Sequence, residues 1–524
     1  MKYVITLYVL IFFHSLNAQR WQNAVQLNGT GMERAWDIVT LPSNYSVVTG
    51  QFTDTLFTLT DTLICRGISD IFISVFTPEG ENTLTRAFGG KQEDVSITAG
   101  CDENGNIYFA GYYNDSAWFG NQLVVSDGAW GLYLCKINSS GEVAWVRTAS
   151  GSQSEIIYGI AVSPAGNIGF TGWFQDTVRF DNGQEVISFG GSDILAGCFN
   201  TDGQLQWLKH AGSAGVDYGY KAAFDTDENL YITGVASGNI QFDSLMVNIG
   251  SMFVAKYNQT GQIKWICPAS GGVSVNSIAV DDEGNGYVCG RYQQVGIFND
   301  HIINSFQNSD DAYVARFSNN GQWQWAVTAG GKGSDKGRAL TLAKDGSALF
   351  TGSFTDTLPV LGFELTAAGA DDIFIGQISP DGELLWVNTA GGTFSDIATG
   401  ISLLNDSLIV SCGWYTGYTI FGSQQLNAQT GNINFFVSYN LLNLNHIHHK
   451  GTFIPVFPNP AKKMLYIPLK SVIKPTFYTL AGFKIDCPIT IFNENYWIAD
   501  VSALKAGMYF IQSGNQVSKV MIGI

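Results

Sequence analysis

Short apolar runs separated by turn residues recur in register along most of the chain, at intervals of roughly sixty residues. Each copy carries three landmarks. The first is a strand centred on Trp, which occurs at Trp21, Trp145, Trp207, Trp265, Trp325 and Trp386, with Leu84 in one copy. The second is a small residue followed by Gly, at Thr49-Gly50, Ala110-Gly111, Thr171-Gly172, Thr233-Gly234, Cys289-Gly290, Thr351-Gly352 and Cys412-Gly413. The third is an apolar strand that often opens with Asp, at 70–72, 193–195, 311–313 and 372–374, with degenerate copies at 131–133, 251–253 and 434–436.

The unit that begins at Gly330 shows how one copy is built. Residues 338–354 predict a two-stranded hairpin with a turn at Asp345-Gly346, and residues 372–389 predict a second hairpin with a turn at Asp381-Gly382. Asp-Gly and Asn-Gly between alternating apolar runs are strong hairpin signals. Four antiparallel strands per repeat are typical of a β-propeller blade, so the repeats predict an all-β propeller.

The two ends of the repeat region are complementary. The strand from Trp21 to Leu27 precedes any complete unit, and the last unit, which runs through residues 435–439, lacks its own Trp strand. Pairing of these two segments would complete a blade and remove two open sheet edges. We therefore expect a closed seven-bladed β-propeller at residues 19–440.

Both termini differ from the repeats. Residues 1–18 have the pattern of a secretory signal peptide, with Lys2 before an apolar stretch and Ala18 at the predicted cleavage point. No later stretch has about eighteen uninterrupted apolar residues, so we expect no transmembrane segment in the mature chain. Residues 441–451 are a predicted linker. In residues 452–524, Pro and Gly separate short apolar runs, a pattern that predicts a small β-sandwich.

Three ordered motifs follow the linker. They are FPNPAKKMLYI from Phe457, YTLAGFKI from Tyr478 and ADVSALKAGMYFI from Ala499, and a basic residue, Lys519, comes after them. These motifs resemble the C-terminal sorting domain of the type IX secretion system of Bacteroidota, although the final Ile-Gly-Ile is less typical. The resemblance implies passage through the periplasm, translocation by the type IX secretion machinery as a partner, and an extracellular or outer cell-surface location. The repeats also resemble bacterial β-propeller repeats of exported chains, which implies no activity.

Charge narrows the range of partners. The net charge is −17 and only 14% of residues are charged. Such an acidic chain is a poor ligand for a phosphate backbone, so we expect no nucleic-acid partner. Cys135, Cys198, Cys289 and Cys412 occupy small apolar strand positions, and the eight cysteines are predicted to be mostly buried and unpaired.

The sequence contains few candidates for metal-binding or catalytic residues. Residues 225–229 and 281–285 are oxygen-rich, as Ca²⁺ ligands are. They nevertheless occupy the same hairpin position as residues 163–166, which contain no carboxylate, so we interpret them as turns. His446, His448 and His449 lie in the linker region without Cys or carboxylate partners nearby, and no His is placed with an obvious Ser or Cys nucleophile. We therefore predict no catalytic residue, no metal site and no cofactor.

A second recurring pattern is Asp followed by Ser or Thr and an apolar residue. It occurs at residues 54–56, 115–117, 176–178, 243–245 and 356–358. The pattern resembles the O-glycosylation acceptor of exported Bacteroidota proteins. A repeated exposed turn after the second strand explains the same residues, and the two interpretations are compatible.

The position after the small-residue–Gly landmark varies more than its neighbours. It holds Gln51, Tyr112, Trp173, Val235, Arg291, Ser353 and Trp414. Aromatic rings at an open rim can stack on sugar rings, and specificity is expected where a repeat departs from itself. Packing between blades would use the same rings. We predict that Tyr112, Trp173 and Trp414 stack on a ligand and that Arg291 makes a polar contact to it.

The sequence favours a secreted or cell-surface propeller that binds a glycan or a surface protein without being an enzyme. One alternative is an extracellular polysaccharide hydrolase or lyase that gathers acidic residues from separate blades. Another is a structural or adhesive surface component without a defined pocket. The fold by itself does not decide among these functions.

Overall fold

The computed structural model describes residues 21–58, 61–360, 363–428, 433–441, 463–468, 474–479, 484–485, 487–493, 496–505, 507–513 and 516–522. The chain divides into a compact unit of residues 19–442 and a second unit that contains residues 443–524. The predicted signal peptide lies outside the described residues, as does the predicted linker after Leu441. No helix in the described part of the chain is long and apolar enough to span a membrane.

Seven antiparallel four-stranded blades form the first unit, because each repeat supplies alternating apolar runs joined by tight turns. The first strands of the blades are Glu33–Thr40, Val95–Cys101, Glu155–Val162, Tyr218–Phe224, the second half of Ile263–Val280, Lys336–Leu342 and Asp396–Asn405. The second strands are Ser46–Phe52, Ile107–Phe119, Ile168–Phe180, Leu230–Val235, Gly286–Phe298, Ala348–Phe354 and Leu408–Thr416.

The outer half of each blade has the same regularity. The third strands are Asp70–Phe76, Gln122–Ile137, Glu185–Phe199, Met252–Tyr257, Asp310–Phe317, Asp372–Ile378 and Ile433–Leu441. The fourth strands are Asn82–Gly90, Val143–Gly151, Leu205–Gly212, the first half of Ile263–Val280, Trp323–Ala329, Leu384–Ala390 and Trp21–Val25. Shorter strands extend the connection between second and third strands, at Thr55–Phe57, Thr62–Ile64, Gly238–Phe242, Leu245–Ile249, His301–Asn304, Thr357–Val360, Phe363–Thr366, Tyr418–Phe421 and Gln424–Asn427. A two-residue strand, Asn28–Gly29, and a 3-10 turn, Phe306–Asn308, complete this unit.

The propeller is closed as the sequence predicts. Trp21–Val25 pairs antiparallel with Ile433–Leu441, so the seventh blade takes one strand from the N-terminal end and three from the C-terminal end. The seven first strands contact their neighbours in an unbroken ring, including the contact between the seventh and first blades. This ring of first strands surrounds the centre of the propeller.

The Trp landmark connects consecutive blades. The indole N–H of Trp325 donates to the carbonyl oxygen of Pro380 at 2.9 Å, and Pro380 begins the hairpin turn of the next blade. A Cβ atom on Gly382 in that turn would lie 3.1 Å from the Trp325 ring. The same arrangement joins Trp265 to Gly321, whose φ of 74° also favours Gly. The turn therefore keeps Gly both for its backbone conformation and because an indole ring covers it.

The Asp-Ser/Thr patterns occupy sharp corners. Their aspartates adopt left-handed backbone conformations, with φ between 49° and 62° at Asp54, Asp115, Asp176, Asp243 and Asp356. Asp tolerates this region better than most residues because its short side chain can hydrogen-bond locally. The corner gives the pattern a structural cause, and all five aspartates are exposed. O-glycosylation at the adjacent hydroxyls stays a prediction.

The acid-rich hairpins are tight turns. The Asp225 Oδ1 accepts the backbone N–H groups of Asp227 and Asn229 at 3.1 and 2.9 Å. Its Oδ2 lies 3.0 Å from the Nζ of Lys256 and accepts the hydroxyl of Tyr231 at 3.0 Å. The carboxylate thus has partners within the fold, which agrees with the interpretation of these segments as turns.

The C-terminal unit is a small β-sandwich. One sheet contains Met464–Pro468, Tyr496–Asp500 and Ile489–Asn493, and the other contains Lys484–Ile485, Thr476–Thr479, Gly507–Ser513 and Gln516–Ile522. Leu465, Phe477, Trp497 and Ile511 are among the side chains that form its apolar core.

Candidate ligand-binding site

A β-bulge recurs in the first strand of every blade, opposite the small-residue–Gly landmark of the second strand. In the first blade Ala35 pairs with Gly50 and Asp37 pairs with Thr49, so Trp36 has no partner in the ladder. The other six blades have the same irregularity at the equivalent place. A bulge leaves one residue outside the ladder and redirects its side chain.

The Gly of the landmark makes this bulge possible. A Cβ atom on Gly352 would lie 1.8 Å from the carbonyl oxygen of Lys336, and one on Gly172 would lie 1.9 Å from that of Ile156. In every blade the clashing oxygen belongs to the residue two positions before the bulged residue. The bulge therefore brings the first strand so close to the second that only Gly fits.

The bulged residues line one cavity of about 390 Å³ at the centre of the ring. They are Trp36, Ile97, Tyr158, Tyr220, Asn276, Arg338 and Thr399. Gln51, Val95, Tyr112 and Lys221 complete the lining. All seven bulged side chains are half-buried, as expected of groups at an open cavity. Chain segments roughly sixty residues apart thus contribute one side chain each to a single site.

Aromatic side chains dominate the wall from the first four blades. The rings of Tyr158 and Tyr220 meet edge to face, with centroids 5.5 Å apart, and the Tyr218 ring lies 6.2 Å from Tyr220. The indole N–H of Trp36 donates to the Oε1 of Gln51 at 3.0 Å, which holds that ring in place. Such rings offer apolar faces on which the C–H face of a sugar can pack.

Polar side chains form the wall from the last three blades. The Asn276 Nδ2 donates to the carbonyl oxygen of Gly337 at 2.8 Å, and the Thr399 hydroxyl donates to that of Ala35 at 2.9 Å. Each of these side chains is therefore fixed by the backbone of the next blade. Between them, Arg338 projects from the sixth blade, and burial lowers the pKa of its guanidinium.

The residues that follow the bulges form a second layer. The Asp37 carboxylate and the Lys221 ammonium lie 2.9 Å apart and join the first and fourth blades across the ring. Asp37 also accepts the backbone N–H of Ala99 in the second blade at 3.3 Å. The ion pair neutralises both charges at the cavity, so neither group is left as an isolated ion.

Tyr112 and Trp173, two of the sequence-predicted stacking residues, lie on the aromatic side. Tyr112 lines the cavity, and its ring stacks on Trp130 with centroids 4.9 Å apart. Trp173 is half-buried, with its ring 5.4 Å from Tyr218, and it is not among the lining residues. Tyr112 is thus the member of the predicted set that faces the cavity directly.

Arg291 and Trp414, the other two predicted contact residues, lie outside the lining. Arg291 is exposed and pairs with Asp310 at 2.8 Å. Trp414 is half-buried, with the guanidinium of Arg34 5.1 Å from its ring centroid. Ligand contacts by Tyr112, Trp173, Arg291 and Trp414 stay predictions.

The cavity tyrosines are poorly suited to accept protons. Burial raises the pKa of Tyr158. Burial, together with the nearby Tyr158 and Tyr218 side chains, raises the pKa of Tyr220 to about 12. Burial also raises the pKa of Tyr112. A general base works best when its pKa lies near the operating pH. These hydroxyls are therefore hydrogen-bonding groups at neutral pH.

Sequence reasoning missed the bulged residues, although a signal for them exists. In six blades a carboxyl residue stands three positions before the bulge, at Glu33, Asp94, Glu155, Asp217, Asp335 and Asp396. The fifth blade has Val273 there. The third residue after this acid varies from blade to blade as much as the position after the small-residue–Gly landmark, and it is the one that enters the cavity.

The seven cysteines of the propeller form no disulfide, and five of them are buried. This agrees with the prediction that the cysteines are mostly buried and unpaired. Within the described residues, no cluster of three or more His, Cys, Asp or Glu side chains is arranged to hold a metal ion.

Comparison with known proteins bears on the C-terminal unit first. Residues 455–523 match the family model of the secretion system C-terminal sorting domain. This match confirms the resemblance seen in the three ordered motifs. It implies export and contact with the secretion machinery.

More distant similarities extend over the repeats. The chain is 21% identical over 421 residues to an uncharacterised WD repeat-containing protein of Acanthamoeba polyphaga mimivirus, across 62% of this chain and 30% of that protein. A solved protein of unknown function from Dyadobacter fermentans is 11% identical to this chain, with a TM-score of 0.42. The alignment covers 82% of this chain and 100% of that protein. The solved polysaccharide lyase Uly1 is 10% identical to this chain, also with a TM-score of 0.42. The alignment covers 81% of this chain and 100% of Uly1. None of these similarities assigns an activity. The chain joins a seven-bladed β-propeller to a type IX secretion C-terminal sorting domain.

Proposed function

We propose that the exported propeller is a non-enzymatic carbohydrate-binding protein and that the central cavity is its binding site. One observation carries this proposal: seven bulges each direct one side chain into the same cavity, which is mainly aromatic on one side and polar on the other. A sugar ring has the matching character, with an apolar C–H face and a polar edge of hydroxyl groups. The volume, about 390 Å³, lies near the lower end of the range for small-molecule sites, so one end of a glycan would enter.

The chemistry of the lining supports binding over hydrolysis. A glycosidase needs two carboxyl groups that flank the scissile bond. The lining contains neither Asp nor Glu, and the adjacent Asp37 is paired with Lys221. A lyase would need a base, and the raised pKa values of the cavity tyrosines disfavour that role.

The proposal places the site outside the cell. The sorting domain implies export, and a predicted signal peptide would first deliver the chain to the periplasm. The propeller would then act at the cell surface or in the medium, where polysaccharides and surface glycoproteins are accessible. A protein partner that carries glycans is compatible with the same site.

A glycan array followed by calorimetry tests the proposal. We expect Tyr158→Ala and Tyr220→Ala each to weaken binding of the best glycan by about fivefold, because an aromatic contact contributes roughly 1 kcal/mol beyond buried area. Tyr112→Ala tests the sequence-predicted contact in the same way. Trp118→Ala is the matched control, since this ring is 42% exposed and lies in an outer hairpin of the second blade.

Two results would contradict the proposal. If no glycan binds, the structural or adhesive alternative is favoured. If incubation with the bound glycan releases shorter products with new reducing ends, the protein is an enzyme. Equal losses of binding in the Trp118→Ala control would show that the cavity is not the site.

A further inference from the structure

Arg338 is a half-buried cation that forms no ion pair within the part of the chain that the structure describes. It is the bulged residue of the sixth blade and belongs to the cavity lining. Its Nε is buried and has no hydrogen-bond partner among the described residues. The neighbouring Asp371 influences the pKa of Arg338 but forms no ion pair with it, and the Asp371 Oδ2 accepts the hydroxyl of Ser395 at 3.1 Å.

Several other cations of the propeller are neutralised within the protein. Lys221 pairs with Asp37 at 2.9 Å, and Lys256 pairs with Asp225 at 3.0 Å. Arg291, close enough to affect the pKa of Arg338, pairs with Asp310 at 2.8 Å. Arg34 also forms no ion pair among the described residues, but its guanidinium lies 5.1 Å from the centroid of the Trp414 ring and it does not line the cavity. Arg338 is therefore the cation of the cavity lining that lacks an acidic partner.

We infer that the bound glycan is acidic and that a sugar carboxylate pairs with the Arg338 guanidinium. This inference rests on the proposed function of the same cavity. A guanidinium is planar and presents paired N–H donors that match the two oxygens of a carboxylate. An unpaired charge removed from water costs free energy, which a bound carboxylate would offset. The ligand class is thus a glycan that contains uronic acid.

The surroundings of Arg338 fit a uronate ring. Asn276 and Thr399 come from the two flanking blades and are held by backbone carbonyl groups, so they stand beside the expected carboxylate. Tyr158 and Tyr220 supply apolar faces from the other side of the cavity. The net charge of −17 would repel an acidic glycan at most of the surface. Within the cavity lining, Arg338 is the cation without an acidic partner, so attraction to an acidic sugar would act there.

The test uses the purified chain and an array with neutral, uronate-containing and sulfated oligosaccharides. We expect the strongest ligands to contain uronic acid. Reduction of their carboxyl groups to alcohols should weaken binding by about tenfold or more, because the loss of one hydrogen bond between charged groups changes affinity by that factor. Arg338→Gln should cause the same loss, and it should cause no further loss with the reduced oligosaccharide. Arg338→Lys should recover part of the affinity, since it keeps the charge without the planar fork.

Arg179→Gln is the matched control, because that exposed cation pairs with Glu185 at 2.9 Å in an outer hairpin of the third blade and should affect binding little. The melting temperature separates binding from a structural role. Removal of an unpaired half-buried charge should leave the Tm of Arg338→Gln unchanged or raise it. A large fall in Tm would show that Arg338 supports the fold, and would overturn the inference.

Binding of neutral glycans that is insensitive to Arg338→Gln would overturn the inference and leave the proposed function intact. Ligands that are all sulfated would overturn the assignment of a carboxylate. Absence of any glycan ligand would overturn both the inference and the proposed function.

Discussion

At the scale of the residue, the acids that open the first strands are buried with few charged partners. Asp94, Asp335 and Asp396 each accept a backbone N–H from the residue four positions earlier at 2.7 Å. Burial raises the pKa of Asp94 and Asp335 to about 7 and that of Asp396 to about 8. Burial likewise raises the pKa of Glu33 and Glu155 to about 8. These carboxyl groups hold the connections between blades through their hydrogen bonds to the backbone. Because their pKa values are raised, they stay protonated to higher pH than exposed carboxyl groups do.

Their raised pKa values make stability depend on pH. The pKa of Asp396 rises from its ordinary 3.8 to about 8, so the unfolded chain loses this proton at lower pH than the folded chain. Stability from this group is therefore complete below about pH 4 and is lost as pH rises toward about 8. We expect Asp396→Asn to raise the Tm at pH 8.5 relative to the parent chain and to have a smaller effect at pH 5.

Thermal unfolding at both pH values measures this effect. Asp300→Asn is the control, because Asp300 is exposed in an outer turn and should show no such difference. An Asp396→Asn variant whose Tm difference from the parent is the same at both pH values would contradict the assignment of a neutral buried carboxyl group.

At the scale of the element, one bulge shapes every first strand. The small-residue–Gly pair is recognisable in the sequence, but the reason for its Gly is not. The structure shows that the Gly faces the carbonyl oxygen of the bulged strand. The bulge, the Gly opposite it and the cavity residue are thus one local unit repeated in each blade.

Substitution of this Gly should disturb the whole unit. A Cβ atom on Gly352 would lie 1.8 Å from the oxygen of Lys336, so the strands must separate in Gly352→Ala. We expect a loss of roughly 1–3 kcal/mol in the free energy of unfolding, as for other overpacked cores. Denaturant unfolding provides the measurement.

Gly215→Ala serves as the comparison, since the nearest atom to its added Cβ would be the Ser213 Oγ at 3.3 Å in an exposed loop. Equal stabilities of the two variants would mean that the first and second strands can separate freely at the bulge.

At the scale of the whole molecule, ring closure joins the ends of the repeat region. The Trp21 indole is 8% exposed, donates to the carbonyl oxygen of Thr389 at 2.9 Å and meets the Phe421 ring edge to face. Deletion of residues 20–27 would remove the fourth strand of the seventh blade and open a sheet edge. We expect a large fall in Tm or aggregation, and an unchanged Tm would contradict the importance of closure.

Truncation after Leu442 is expected to leave the stability of the propeller unchanged and to block its export. Residues 19–442 form a compact unit of their own, so the propeller should keep its Tm without the C-terminal segment. Residues 455–523 match the sorting domain, so the truncated propeller should accumulate in the periplasm of the native host. Cell fractionation measures this outcome. Efficient release of the truncated chain into the medium would contradict the sorting role.

Local signals in the sequence are sufficient to predict the all-β propeller with seven blades, its closure and the sorting domain. Turn residues and apolar alternation are local signals, and their repetition counts the blades. The spare strand at Trp21 and the incomplete last unit indicated how the ends pair. The motifs after Phe457 identified the C-terminal domain because they are short, ordered and contiguous.

Only the tertiary structure decided which side chains meet at the centre. A bulge adds one residue to a strand, and apolar alternation does not reveal which residue leaves the ladder. The sequence analysis therefore selected Tyr112 and its equivalents on the second strand and missed Tyr158, Tyr220 and Arg338 on the first. The pairing of Asp37 with Lys221, 184 positions apart, likewise depends on the ring. Residues that far apart in sequence become neighbours only when the closed ring brings all seven first strands around one axis. Which of their side chains meet there depends on the three-dimensional arrangement of the strands.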